Sequence, residues 1–183
     1  MRVPILEPDQ MNPAQRAAYD ATVAGKRGHM PPPAQAWLHS PEFCNRAQKV
    51  GEFIRFDTCL PPALLELAIL ITGRNWGSHY EWYAHRKLAT KAGLDDTIIN
   101  AVRDGRVPVL KDAGAKAIYE YATTLLRTRK VSQAQHDAVV AVYGERGVVE
   151  LVGTLGYYTL VSFTLNAFEV GLPDGEVSEI PGP

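Results

Sequence analysis

Residues 60–73 read LPPALLELAILITG, and this stretch decides the fold class. Pro61 and Pro62 suit the start of a helix, where a missing N–H costs nothing. The residues after them are apolar on nearly every side of a helix running to about Arg74, which is the pattern of a helix buried all round. Glu66 is its only charged residue before Arg74 and is buried with it. An unpaired buried carboxylate is costly, so Glu66 must be protonated, hydrogen-bonded or paired. It is either a structural clamp or a group in a site, since buried carboxylates occur in both.

The next segment, residues 77–94, reads GSHYEWYAHRKLATKAGL. At about 100° per residue, Ser78, Glu81 and His85 share a helix face with Trp82, Leu88, Ala89 and Ala92, while Tyr83, Lys87 and Lys91 lie opposite. Polar groups are thus placed within an apolar stripe, as in a pocket walled by an aromatic ring and small side chains. A structural reading stands beside this one. Ser-x-x-Glu is a capping box, with Ser78 accepting from an early amide and Glu81 reaching back. Glu81 would also meet His85 one turn on. A buried histidine needs partners for both ring nitrogens, and Glu66 and Glu81 are the available ones.

Outward from this core the signals remain helical. Twelve of thirteen prolines lie before Ala63 or after Leu172, with only Pro108 between. Asn12-Pro13-Ala14-Gln15 opens a helix to about Ala24, and residues 25–33 form a loop. Ser40-Pro41 caps a second helix, with Phe43, Ala47, Val50 and Ile54 at helical spacing. After the Glu66 and His85 helices, Asp95 or Asp96 opens a short fifth, closed near Gly105. Residues 111–129 form a sixth, with Ile118, Tyr121 and Leu125 on one side. Ser132 with Gln135 caps a seventh, and Glu145 to about Gly171 gives a long eighth. Strand pairs and Gly-rich phosphate loops are not legible, so the fold class is all-α with about eight helices. One domain is expected: residues 1–40 an extension, 41–172 the helical core, and 173–183 a tail or an arm on a partner subunit.

Composition narrows the function. The chain has 183 residues, 46% hydrophobic, with nineteen basic and twenty acidic side chains giving a net charge of -1. That balance offers no electrostatic footprint for nucleic acid and no polybasic handle for a membrane surface. Residues 151–168 carry no charge over nearly a membrane-spanning length, but their polar residues and acidic flanks favour a core helix. Cys44 and Cys59 stand in no metal or redox spacing and suit a reducing compartment. The first residues lack a signal-peptide run, so the cytoplasm is expected. His79 and His85 point to different faces, and no His-Glu-x-x-His or Gly-x-Ser-x-Gly pattern occurs, so neither a metal site nor a serine-nucleophile elbow is expected. Trp76, Tyr80, Tyr157 and Tyr158 read as core aromatics rather than stacking platforms.

The run Leu64-Leu65-Glu66-Leu67-Ala68-Ile69-Leu70, followed by Tyr80-Glu81-Trp82-x-x-His85-x-x-x-Ala89-x-x-x-Gly93-Leu94, resembles the carboxymuconolactone decarboxylase family, which shares the alkyl hydroperoxidase D-like (AhpD-like) fold. The likeness extends to Leu38-His39-Ser40-Pro41, Gly144-Glu145, residues 148–152 and Gly156-Tyr157-Tyr158. The resemblance implies an all-helical subunit in a homo-oligomer, a trimer or hexamer, without a cofactor. In the peroxidase branch a Glu is followed after twelve residues by Cys-x-x-Cys and then a His. Glu66 and His85 match those positions, whereas Ser78 and Glu81 stand where the thiols would be, which argues against a thiol peroxidase.

What the resemblance then implies is a lyase acting on a small carboxylated ring or lactone in aromatic catabolism. His85 would be the acid/base and Glu66 would hold or tune it. Glu81 would orient the substrate or carry a second proton. Ser78 would donate a hydrogen bond, Trp82 would wall the substrate, and Arg74 would receive a substrate carboxylate, pair with Glu66 or lie in solvent. The alternatives are a non-enzymatic or stress-associated ligand-binding protein of the same fold, and another proton-transfer enzyme such as an isomerase or lactone hydrolase.

Overall fold

The computed structural model describes residues 1–182. The described residues form α1 (Pro13–Ala24), α2 (Pro32–Trp37), α3 (Pro41–Phe56), α4 (Pro62–Asn75), α5 (His79–Lys91), α6 (Asp96–Arg103), α7 (Ala113–Thr128) and α8 (Gln133–Ala167), with no strand among them. The all-α reading holds, though two details shift. The short α2 lies partly within the stretch read as a loop. The predicted seventh and eighth helices abut without a loop, joined at Gly144, whose φ of 67° and ψ of -179° only glycine adopts readily.

Local chemistry sets most of the boundaries. Proline opens each of α1 to α4. Asn12 and Gln15 form a reciprocal capping box on α1, and Ser132 with Gln135 makes the same exchange before α8. Ser40 holds the cap position of α3, but its side chain makes no capping bond. Asp112 Oδ1 accepts from the Ala115 amide at 2.7 Å at the start of α7. Asp112→Ala is expected to lower stability by about 1 kcal/mol, read as a fall in the urea midpoint at unchanged slope.

The chain groups into two compact units, Met1–Thr58 with Thr164–Gly171, and Cys59–Phe163 with the segment from Leu172 onward. In the first, α3 packs against α1 and α2. Its buried side is Cys44, Ala47, Gln48, Gly51 and Ile54, leaving Phe43 and Val50 exposed together with Phe53. The predicted stripe was therefore half right: Ala47 and Ile54 face inward and the two larger residues face out.

In the second unit α4 packs against α5, α6 and α7. Residues 65–73 of α4 are buried without interruption, as the apolar run requires. Apolar α8 is buried on one side rather than all round. Leu151, Leu155, Tyr158 and Val161 face inward, while Val149 and Phe163 are exposed. Its apolar window is long enough to cross a membrane by length and composition, yet 56% of it is buried within the protein, as in a core helix. The C-terminal segment packs on the protein's own α5, with Ile180 buried.

Candidate active site

The centre of the second unit holds an ionisable cluster built from α4 and α5. Gly77, at φ +57°, lets the chain leave α4 and enter α5 across residues 76–78. That turn sets Glu66 against His85, nineteen positions on. His85 Nδ1 donates to Glu66 Oε2 at 2.6 Å. On the other side of the ring, Nε2 stands 2.9 Å from Glu81 Oε1, an ion-pair distance without hydrogen-bond alignment. All three residues are buried. The Tyr158 ring meets the imidazole edge-on with centroids 5.0 Å apart.

Burial by itself would lower the His85 pKa, because it penalises the charged ring. The carboxylates of Glu81 and Glu66 outweigh that penalty, and the pKa rises to about 9. At neutral pH His85 is therefore an imidazolium clamped between two carboxylates. Such a ring has a proton to give and a neighbour on each side to steady its charge. Among the described residues no group of three His, Cys, Asp or Glu side chains is arranged to hold a metal ion.

The other predicted residues divide. Ser78 is fully buried at the cap position of α5, but its side chain makes no capping bond and its Oγ has no hydrogen-bond partner. The Ser78–Glu81 capping box is therefore absent, and Glu81 turns to His85 instead. Trp82 is buried and its indole N–H donates to Glu179 Oε2 at 3.1 Å. Arg74 does not join the cluster. Its Nε donates to the Arg103 carbonyl at 2.8 Å, and it lines a separate cavity of about 350 Å³ with Asn75, Tyr119 and Arg127.

Ser78 supplies a sharp test of these readings. A true capping serine costs about 1 kcal/mol when replaced by alanine. Removing a buried hydroxyl that bonds nothing is close to neutral, because it also removes a desolvation penalty. Ser78→Ala is expected to leave the melting temperature within a degree or two of wild type, by roughly the stability-to-temperature conversion for a domain of this size. A drop matching a lost cap would reinstate the structural role.

Tyr158 and Glu179 are the participants that sequence reasoning did not place here. Tyr158 was read as core, which it also is. Glu179 lies 97 positions from Trp82, and no local pattern signals that pairing.

These helices have the AhpD-like fold. No family model matches the sequence, and no curated protein does. Solved structures do. An uncharacterised peroxidase-related protein from Silicibacter sp. TM1040 has a TM-score of 0.74 at 13% identity, over 96% of this chain and 91% of its own. A cysteine-to-alanine variant of the debrominase Bmp8, crystallised in complex with 2,3,4-tribromopyrrole, has a TM-score of 0.71 at 14% identity, over 95% and 92%. A protein of unknown function from Agrobacterium tumefaciens, ATU0492, suggested to be an antioxidant-defence AhpD, has a TM-score of 0.65 at 13% identity, over 75% and 95%. At such identities the likeness is one of fold.

Proposed function

We propose that this chain is a cofactor-independent proton-transfer enzyme, and that its reaction is the decarboxylation of a small carboxylated ring or lactone. The observation that carries the reading is His85, buried in the protein interior between Glu66 and Glu81, whose charges raise its pKa. In the reaction the bond between ring carbon and carboxylate breaks, and its electron pair moves into the conjugated carbonyl as carbon dioxide leaves. His85 then delivers its proton to the ring carbon and is reprotonated from water. Glu66 and Glu81 keep the imidazole oriented and charged before the transfer. Ser78, whose hydroxyl is uncommitted, offers a hydrogen bond to the substrate, and Trp82 forms an apolar wall.

The chemistry proposed is thiol-free. Cys44 lies in the first unit, buried, and Cys59 is exposed; Ser78, at the cap position of α5, and Glu81, on it, stand where the resemblance places the peroxidase thiols. A debrominase of this fold has been crystallised with a brominated pyrrole, which supports a small ring as ligand without specifying its chemistry. Arg74 lies outside the His85 cluster, on another cavity, and takes no part in the proposed reaction.

The deciding experiment is product analysis on a panel of acidic lactones that includes γ-carboxymuconolactone. Carbon dioxide release supports the lyase. An isomerised or hydrolysed product moves the assignment to another proton-transfer reaction. Saturable binding without turnover makes the chain a ligand-binding protein.

We also propose a homo-oligomer in the cytoplasm. Phe43, Val50 and Phe53 on α3 are exposed large apolar residues within about a quarter-turn of one another on the helix surface. Light scattering should give a mass three or six times the 20.1 kDa of one chain; a monomer would overturn this.

A further inference from the structure

A second polar cluster lies along α5, formed with the C-terminal segment. Trp82 Nε1 donates to Glu179 Oε2 at 3.1 Å, and Arg86 Nη1 donates to Glu179 Oε1 at 2.8 Å. Both oxygens of one carboxylate are thus held. Tyr83 Oη donates to Glu176 Oε1 at 2.9 Å, and Lys87 Nζ reaches the same oxygen at 3.4 Å. The four donors occupy positions i, i+1, i+4 and i+5, a strip running from the edge of the buried face across about 140° of the helix surface. Helix and segment enclose a cavity of about 230 Å³. On its lining residues, His79 Nε2 and Arg86 Nε are buried with no hydrogen-bond partner. Buried nitrogens of this kind are normally satisfied in a native fold. Two of them on one cavity, one belonging to Arg86 and with Lys87 beside them, mark recognition capacity that the segment does not use.

We propose that this strip of α5 is a binding site for a small dicarboxylate, and that Glu176 and Glu179 are its internal occupants. The segment 172–182 is then a strap that the ligand displaces. The planar fork of Arg86 suits a carboxylate, the indole N–H of Trp82 adds a directional donor, and Lys87 adds a compact charge. The internal pairs are partly exposed, and such pairs are individually weak. An incoming carboxylate therefore exchanges like for like, and gains His79 Nε2 and Arg86 Nε in addition. The site shares Trp82 with the reaction proposed for His85 but does not rest on that reaction. Its test is equilibrium binding, so failure of either reading leaves the other intact.

Succinate is the probe, measured by titration calorimetry on the full chain, with succinamide as the neutral control. The E176Q/E179Q chain should bind succinate about fivefold more tightly than wild type, because the strap no longer competes for the site. Adding R86Q in that background should abolish the gain, and succinamide should not bind. Equal affinity in the two chains, or no binding to a folded E176Q/E179Q chain, overturns the proposal. Hydrogen exchange on the unmodified chain tests it without any substitution. The Glu176 amide, bonded to the Pro173 carbonyl, and the Ile180 amide, bonded to Ser178 Oγ, should exchange faster with saturating succinate. Unchanged exchange also overturns it.

Discussion

His85→Gln is expected to lower turnover of any accepted substrate by about 10²–10⁴-fold, the range that a positioned general acid supplies. Glutamine keeps a planar polar group between Glu66 and Glu81 but has no titratable proton. The effect should fall on kcat more than on KM, because the proton is passed only as the reaction proceeds. The pH profile adds a readout that a structural role would not move. With its pKa raised to about 9, His85 stays a competent acid up to that pH, and the rate should decline above it. Glu66→Gln removes one of the charges that raise the pKa, so the alkaline decline should move to lower pH. If His85→Gln leaves turnover intact, or Glu66→Gln leaves the profile where it was, His85 is not the acid.

The same clamp makes stability depend on pH. His85 titrates near 6.5 when unfolded and near 9 when folded. Between those values the folded chain holds a proton that the unfolded chain has released. Stability must therefore fall as pH rises through this window. The contribution is fully present below about 6.5 and is lost as pH passes 9, and the difference converts to roughly 3 kcal/mol. Denaturant unfolding at pH 6 and pH 9 should show a clear loss in the wild-type chain and a much smaller one in His85→Gln. Cys44 and Cys59, both raised by burial above their ordinary 9, add a loss that sets in only near the top of that window and is common to both chains. Equal slopes in the two chains would mean that His85 is not held charged.

How much of the site was legible follows from distance along the chain. Ser78, Glu81 and His85 lie within eight positions on one helix, and periodicity alone puts them on one face. Glu66 was legible as a buried charge in need of a partner, because an apolar helix leaves it no route to water. Glu66 was already an available partner for His85; that its carboxylate meets Nδ1 of the ring required the turn at Gly77 and the packing of α4 on α5. The Ser78 cap failed for the same reason. Local sequence offers two uses for Glu81, and only the folded neighbourhood shows that the carboxylate faces the imidazole. Arg74 is the converse case, since a place in the last turn of the Glu66 helix did not determine which cavity its side chain lines.

By itself the sequence determined most of the helices and most of their limits, because proline starts, Asx caps and glycine ends act over three or four residues. It also determined that a buried carboxylate must be satisfied. Tertiary structure decided which sides of α3 and α8 are buried, since apolar residues at helical spacing exceed what one contact can cover. It decided too that Glu66, His85 and Glu81 form one charged cluster, and that the C-terminal segment lies on α5 through Glu176 and Glu179. Apart from Glu81 and His85, one helical turn apart, those contacts join residues nineteen to ninety-seven positions apart, a range over which only packing brings groups together.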